Sequence, residues 1–276
     1  MTGPGAGRPR GSDADGPLGQ GADGPRGLRR AMAAGEELLG TFCVIPSTEV
    51  VELIALAGLD FVIIDMEHGP FGLESVRDGL VAARARGLWA VVRVPGLDPD
   101  AIGAALDAGA DGVLVPQVTS ADAARTVVAA ARFAPEGERG AHPWVRASGY
   151  GTVPGWFATA NREVAVLVMI EGTAGVAAVP EILEVPGLDA IFLGPVDLSH
   201  SMGVPGQTDH PRVRAALEDV AAKAAARDTA TAVFAAEPER ARDWWGLGVG
   251  VVACGVDSQI IHAGFARVAA AARSRP

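Results

Sequence analysis

The sequence predicts an α/β fold, a single (β/α)8 TIM barrel, on three observations. Eight short runs rich in Val, Ile and Leu recur along the chain, at residues 40–45, 61–65, 90–94, 112–115, 165–170, 190–193, 231–234 and 250–253. Longer Ala-rich amphipathic stretches separate most of them, an alternation of strand and helix. The runs are apolar on both faces, as strands are when helices cover a parallel sheet on each side. Eight such units favour closure into a barrel over an open doubly wound sheet, and no G-x-G-x-x-G follows the first run to mark a dinucleotide-binding half.

Residues 1–27 come first, with nine Gly and four Pro, and with Arg8, Arg10 and Arg26 balanced by Asp13, Asp15 and Asp23. Lacking apolar periodicity, they read as a disordered tail ahead of one barrel domain at residues 28–276. They also lack the apolar core of a secretory signal, and their acids argue against a transit peptide. The helix-like stretches are 48–57, 73–85, 99–107, 121–132, 211–226 and 238–245. Ser47, Asp98, Ser120, Asp209 and Glu237 stand at their starts as N-caps. Ala57-Gly58-Leu59-Asp60, Ala108-Gly109-Ala110-Asp111 and Pro186-Gly187-Leu188-Asp189 recur just before strands. There a Gly ends a helix and the next strand begins, a structural repeat rather than chemistry.

Composition sets the class. The 276 residues are 49% hydrophobic, enough for one sizeable core. No run approaches the roughly 18 uninterrupted apolar residues of a membrane helix. With 23 basic against 33 acidic side chains the net charge is −10, and no basic run offers a nucleic-acid surface. Because the tail is balanced, that charge belongs to the barrel domain. Cys43 and Cys254 lie in apolar runs and read as free thiols of a cytoplasmic protein.

In a barrel the loops that follow the strands build the site. Polar residues gather there: Asp65-Met66-Glu67-His68-Gly69-Pro70 after the second run, Arg93 on the third, Pro116-Gln117 after the fourth, Glu171 after the fifth, and Gly194-Pro195-Val196-Asp197-Leu198-Ser199 after the sixth. A charge abutting a buried strand is costly unless it pairs or binds something. Glu171 and Asp197, with no Cys nearby, form a hard oxygen set suited to Mg2+ or Mn2+. Each equally suits the N-terminus of the helix that follows it, so position alone leaves both roles open. His68, in a turn directly after a strand, reads as a site residue more readily than as a structural one. Arg93 can meet a substrate charge or neutralise a buried acid. Asp107 ends a helix, where an acid opposes the macrodipole, and pairing with His68 would supply the reason for it.

Together these motifs resemble the HpcH/HpaI family of metal-dependent pyruvate aldolases, which includes 4-hydroxy-2-oxoheptanedioate and 2-keto-3-deoxy-sugar-acid aldolases. The resemblance rests on residues 40–46, 57–60, 64–70, 92–95, 106–110, 115–116, 135–140, 170–171 and 194–199, and its order and spacing cover residues 38–265. It implies a barrel of the phosphoenolpyruvate/pyruvate type whose C-terminal helix is exchanged between subunits, in a homo-oligomer, a hexamer built as a trimer of dimers. It implies Glu171 and Asp197 as ligands of Mg2+, Mn2+ or Co2+, His68 as base supported by Asp107, and Arg93 as stabiliser of an enolate. Gly194, Pro195, Val196 and Asp197 match the segment that holds pyruvate, with Phe42 near the mouth. The implied reaction is reversible retro-aldol cleavage of a 4-hydroxy-2-oxo acid to pyruvate and an aldehyde. The single lysine, Lys223, is poorly placed for a Schiff base.

Three residues depart from the family pattern: Met169 and Gly172 where many members have Gln and Thr, and Phe42 where a Trp is common. They bear on how substrate is oriented and which aldehyde is taken, as does the loop at 139–155. Two other readings are weighed beside the aldolase. An acyl-CoA lyase of the citryl- or malyl-CoA type shares barrel and carboxylates, but its CoA calls for more basic loops. A non-catalytic oxo-acid-binding protein would draw only on Met169 and Gly172.

Overall fold

Eight parallel strands hydrogen-bond in sequential order and close on themselves: β1 (Leu38–Cys43), β2 (Phe61–Asp65), β3 (Trp89–Arg93), β4 (Gly112–Val115), β5 (Ala165–Ile170), β6 (Ala190–Leu193), β7 (Ala230–Ala235) and β8 (Val251–Val256). This is the TIM barrel expected, seen in a computed structural model that describes residues 27–274. Of the tail expected at residues 1–27, residues 1–26 lie outside the described residues. The helices are α1 (Leu28–Ala33), α2 (Thr48–Leu56), α3 (Leu73–Ala85), α4 (Pro99–Asp107), α5 (Ala121–Ala131), α6 (Trp156–Glu163), α7 (Thr173–Ala177), α8 (Val179–Ile182), α9 (Pro195–Ser201), α10 (Pro211–Ala225), α11 (Pro238–Gly246) and α12 (Asp257–Arg273). Among the described residues no helix is long and apolar enough to cross a membrane.

Alternation along each strand divides the core in two. Outward-facing Val62, Ile64, Val92, Val113, Val166, Val168 and Ile191 pack beneath the helices. Inward-facing Phe61, Ile63, Val91, Leu114, Leu167, Met169 and Phe192 fill the lumen. At the floor, α1 inserts Leu28, Ala31 and Met32 into this inner cluster. It is held there by Arg29, whose Nε donates to Asp189 at 2.6 Å.

The caps at Ser47, Asp98 and Ser120 each accept the expected first-turn N–H. Three expectations shift. Glu237 holds the N-cap position of α11, but its side chain accepts no first-turn N–H. The cap of α10 is His210, not Asp209, which instead pairs with Arg240 at 2.7 Å. Strand β1 starts two residues earlier than the apolar run and stops at Cys43, because the Val44 and Ile45 amides turn to the Asp257 carboxylate, at 3.0 and 2.9 Å.

The three Gly-x-Asp phrases acquire a physical role. Gly58, Gly109 and Gly187 all adopt positive φ (88°, 94° and 86°), a conformation that side chains resist; the first two end a helix as expected, whereas Gly187 lies in the turn that follows α8. Two residues on, each Asp turns its carboxylate back to an N–H of the preceding strand: Asp60 to Leu39 at 3.0 Å, Asp111 to Ala90 at 2.8 Å and Asp189 to Val166 at 2.8 Å. These acids staple β1 to β2, β3 to β4 and β5 to β6 at the floor.

Burial pushes the Asp111 carboxyl up to about 6 from its ordinary 3.8, against the opposing Ala90 N–H and the charges of Arg84 and Arg146. The folded chain therefore holds a proton there that the unfolded chain has lost, and stability falls as pH rises through that window. Asp111→Asn keeps an oxygen for the Ala90 amide and removes the charge. Urea unfolding at pH 4 and pH 7 is expected to show a smaller loss across the window in Asp111→Asn than in the parent. Equal losses would show that Asp111 does not titrate there.

Candidate active site

The same alternation that fills the lumen carries polar side chains into its open end. Asp65 continues the inward series of Phe61 and Ile63, Arg93 follows Val91, and Glu171 follows Leu167 and Met169. Asp65, Arg93 and Glu171 are 1%, 7% and 7% exposed, so their charges must be answered locally. The Arg93 fork grips Asp65 with Nε at 2.8 Å and Nη2 at 2.6 Å. Its Nη1 lies 3.0 Å from Glu67 Oε2, and the guanidinium sits 4.7 Å over the Phe42 ring. Of the two roles left open for Arg93, the one seen is neutralisation of a buried acid, and the guanidinium also borders the cavity.

The Asp65 carboxylate also accepts the Glu67 and His68 amides at 3.0 and 3.3 Å, which folds the turn after β2 and places His68 at the cavity wall. His68 Nε2 lies 3.8 Å from Glu67 Oε2. Glu171 accepts the Gln117 N–H at 2.7 Å, and Gln117, with φ of 57°, also donates its side-chain amide to Glu67 at 3.1 Å. Burial pushes the Glu171 carboxyl up to about 7, with the charges of Glu67 and Asp197 adding to it and the Gln117 N–H and Arg93 opposing it. Gly194 allows the close approach of β6, since a Cβ there would stand 2.6 Å from that of Glu171. Asp197 sits in the first turn of α9, where the first backbone bond is Leu198 N–H to Gly194 O at 3.2 Å. The amides of Val196 and Asp197 precede that bond and are free for an anion.

Phe42, His68, Arg93, Glu171, Gly194, Pro195, Val196 and Asp197 all border one cavity of about 410 Å³ at the C-terminal ends of the strands. Asp107 does not. A helix that follows a strand runs back down the barrel, so the end of α4 lies at the floor, where Asp107 pairs with Arg139 at 2.5 Å. Pairing of Asp107 with His68 within one chain is corrected accordingly: the carboxylate beside His68 is that of Glu67.

Sequence reasoning passed over Asp65 and Glu67, although both stand in the quoted motif, and the walls supplied by β7 and β8. Phe234, Val256, Ser258 and Gln259 carry no charge that marks a strand end. Asp257, 3% exposed, clamps the β1–α2 loop and announces itself only through its contacts.

Arg93→Met would leave Asp65 and Glu67 buried without their cation, at an expected cost of about 3–5 kcal/mol in urea unfolding. Combining it with Asp65→Asn is expected to recover much of that loss. If the double variant is no more stable than the single one, the pair does not carry the charge balance of the barrel mouth.

Three comparisons bear on this geometry. Residues 39–263 match the family model described as HpcH/HpaI aldolase/citrate lyase. A hydroxypyruvate/pyruvate aldolase of Roseovarius nubinhibens is 37% identical, covering 83% of this chain and 90% of its own. A 4-hydroxy-2-oxo-heptane-1,7-dioate aldolase of Salmonella dublin is 36% identical, covering 87% and 92%. Among solved structures, an HpcH/HpaI aldolase/citrate lyase family protein from Burkholderia cenocepacia superposes with a TM-score of 0.86 at 33% identity, covering 90% of this chain and 99% of its own. The barrel, the acidic mouth and these matches over nearly the whole described chain agree, and the chain belongs to the HpcH/HpaI aldolase/citrate lyase family.

Proposed function

We propose that the chain is a carbon–carbon lyase, a pyruvate aldolase that cleaves a 4-hydroxy-2-oxo acid reversibly to pyruvate and an aldehyde. The observation that carries this reading is the convergence of Glu171, Asp197, Arg93 and His68 on one cavity. Its acids outnumber its cations, and no third His, Cys, Asp or Glu joins Glu171 and Asp197 in a closed metal cage among the described residues. Two carboxylates with the other positions left to water and substrate suit Mg2+ or Mn2+. A divalent cation held by Glu171 and Asp197 would act as a Lewis acid on the substrate's keto oxygen.

The chain's own residues supply the rest. The Val196 and Asp197 amides, with Gly194 and Pro195 setting their approach, receive the substrate carboxylate. His68 takes the proton of the C4 hydroxyl, the C3–C4 bond breaks, and its electron pair passes to the pyruvate half as an enolate. Arg93, already oriented by Asp65, faces the negative charge that develops. The aldehyde leaves, and C3 takes a proton to complete pyruvate. Asp107, at the floor of its own barrel, reaches a His68 only in a second copy of the chain. An acyl-CoA substrate fits less well, because among the described residues Arg93 is the one Lys or Arg at the cavity and it is already engaged.

Assembly with the C-terminal helix exchanged is supported by α12, which leaves Ile260, Phe265 and Val268 at 52%, 71% and 64% exposure. The free thiols of Cys43 and Cys254 suit a reducing cytoplasm.

Metal-dependent pyruvate release from 4-hydroxy-2-oxo acids tests the function. Glu171→Ala and Asp197→Ala are expected to abolish it, and His68→Ala to lower turnover by about 10²–10⁴ while metal affinity stays nearly unchanged. Full activity in EDTA would overturn the mechanism, and lost metal binding in His68→Ala would reverse the assignment of the imidazole. For the assembly, Phe265→Glu is expected to lower the mass seen by light scattering. An unchanged mass would place the subunit contacts elsewhere.

A further inference from the structure

We infer that this site takes aldehydes whose distal end is uncharged and hydroxyl-bearing, and that Ser258 and Gln259 are the residues that read it; the inference rests on the aldolase reading above. The oxo-acid end of a substrate is assigned to the side of the cavity formed by Arg93, Glu171, Asp197 and the α9 amides. What extends beyond C4 then meets the rest of the wall, built by Val44, Phe234, Val256, Ser258 and Gln259, with Phe42 reaching from it to the Arg93 guanidinium. None of these six is ionisable. Phe42 and Phe234 meet edge to face with centroids 5.9 Å apart, giving that side an apolar base. At its rim the Ser258 hydroxyl and the Gln259 amide are exposed and make no side-chain hydrogen bond within the described chain. Both offer a donor and an acceptor to a substrate hydroxyl.

A distal carboxylate meets the opposite conditions. Asp65, Glu171 and Asp197 already border the cavity. Arg93 spends its fork on Asp65 and its remaining nitrogen on Glu67. The positive end of α12 is answered from within, because Asp257 accepts the amides of Ser258, Val44 and Ile45 at 2.7, 3.0 and 2.9 Å. Among the described residues no Lys or Arg stands on that wall, and His68, whose imidazole serves the C4 hydroxyl, lies beside Glu67. A carboxylate desolvated there has no partner, which is a strong basis for discrimination. The local geometry holds Ser258 and Gln259 in place: Gly255, at φ of 70°, makes a bulge that shifts the β1–β8 register, and Thr41 Oγ1 donates to its carbonyl at 3.0 Å.

The test uses the full-length protein with Mg2+ and pyruvate in the aldol direction. The probe pair is 4-oxobutanoate and 4-oxobutanamide, which match in shape and differ in charge. Glycolaldehyde against propanal separates the hydroxyl from size. Exchange of the pyruvate methyl protons with deuterium, followed by NMR without aldehyde, reports independently on the aldolase chemistry. The expected result is a kcat/KM at least about tenfold higher for the amide than for the carboxylate and higher for glycolaldehyde than for propanal. Gln259→Lys, at an exposed position, is expected to erase or reverse the charge preference, and Gln259→Ala to raise KM for glycolaldehyde more than for propanal. Methyl exchange with equal or better use of 4-oxobutanoate by the parent would overturn the inference and leave the aldolase reading standing. A charge preference that neither Gln259 variant moves would overturn the assignment to Gln259. Absence of methyl exchange and of condensation with every aldehyde would overturn the aldolase reading and this inference with it.

Discussion

A closed eight-stranded barrel forces every second side chain of each strand into a lumen of limited width. That constraint governs the molecule from floor to mouth. In the lower layers it is met by apolar bulk, with Phe61, Leu114, Leu167 and Phe192 interdigitating above the Leu28–Met32 face of α1. In the top layer the same alternation leaves no choice about which residues converge: Asp65, Arg93 and Glu171 meet because they share the inward parity of the residues below them. Chemistry is thus a continuation of packing, one layer further along.

The top layer holds together through unequal charge. Asp65, Glu67, Glu171 and Asp197 surround a single guanidinium, and the bidentate grip of Asp65 decides where that guanidinium points. Gln117 links the rest: its backbone amide is spent on Glu171 and its side-chain amide on Glu67, from a left-handed backbone that costs on the order of 1 kcal/mol or more. Met169 beneath them offers Arg93 only a weak sulfur contact at 3.9 Å. The amide that the family pattern would lead one to seek at position 169 is absent, and the polar support comes from the neighbouring strand end.

Much of this was legible in the sequence. Strands apolar on both faces and separated by helices have few alternatives to a parallel barrel, and β2, β4, β5 and β6 fell where their apolar runs lie. The helix α1 was hidden because a six-residue helix has too little periodicity to stand out. The start of α12 was hidden because Val256 and Asp257 carry the strand directly into the helix. The site was visible wherever a charge closed a strand, as at Arg93, Glu171 and Asp197. It was invisible on the side formed by Phe234, Ser258 and Gln259, whose residue types are as common on any surface. Asp107 misled because its macrodipole conflict is real but is relieved by Arg139, a partner 32 residues away that the sequence does not point to.

The aspartate staples have one more consequence. They join strands in pairs, and among the described residues no carboxylate does this for β7 or β8. The last quarter of the barrel is tied at its other end instead, where Asp257, after β8, accepts the Val44 and Ile45 amides that follow β1, and Thr41 donates to the Gly255 carbonyl at the break in register. Cooperative units of a fold open in order of their local free energy. Amide protons at the floor end of β7 and β8 should be the first of the barrel's own to exchange, so the freedom to breathe lies at the foot of that wall and not at the clamped rim that carries Ser258 and Gln259.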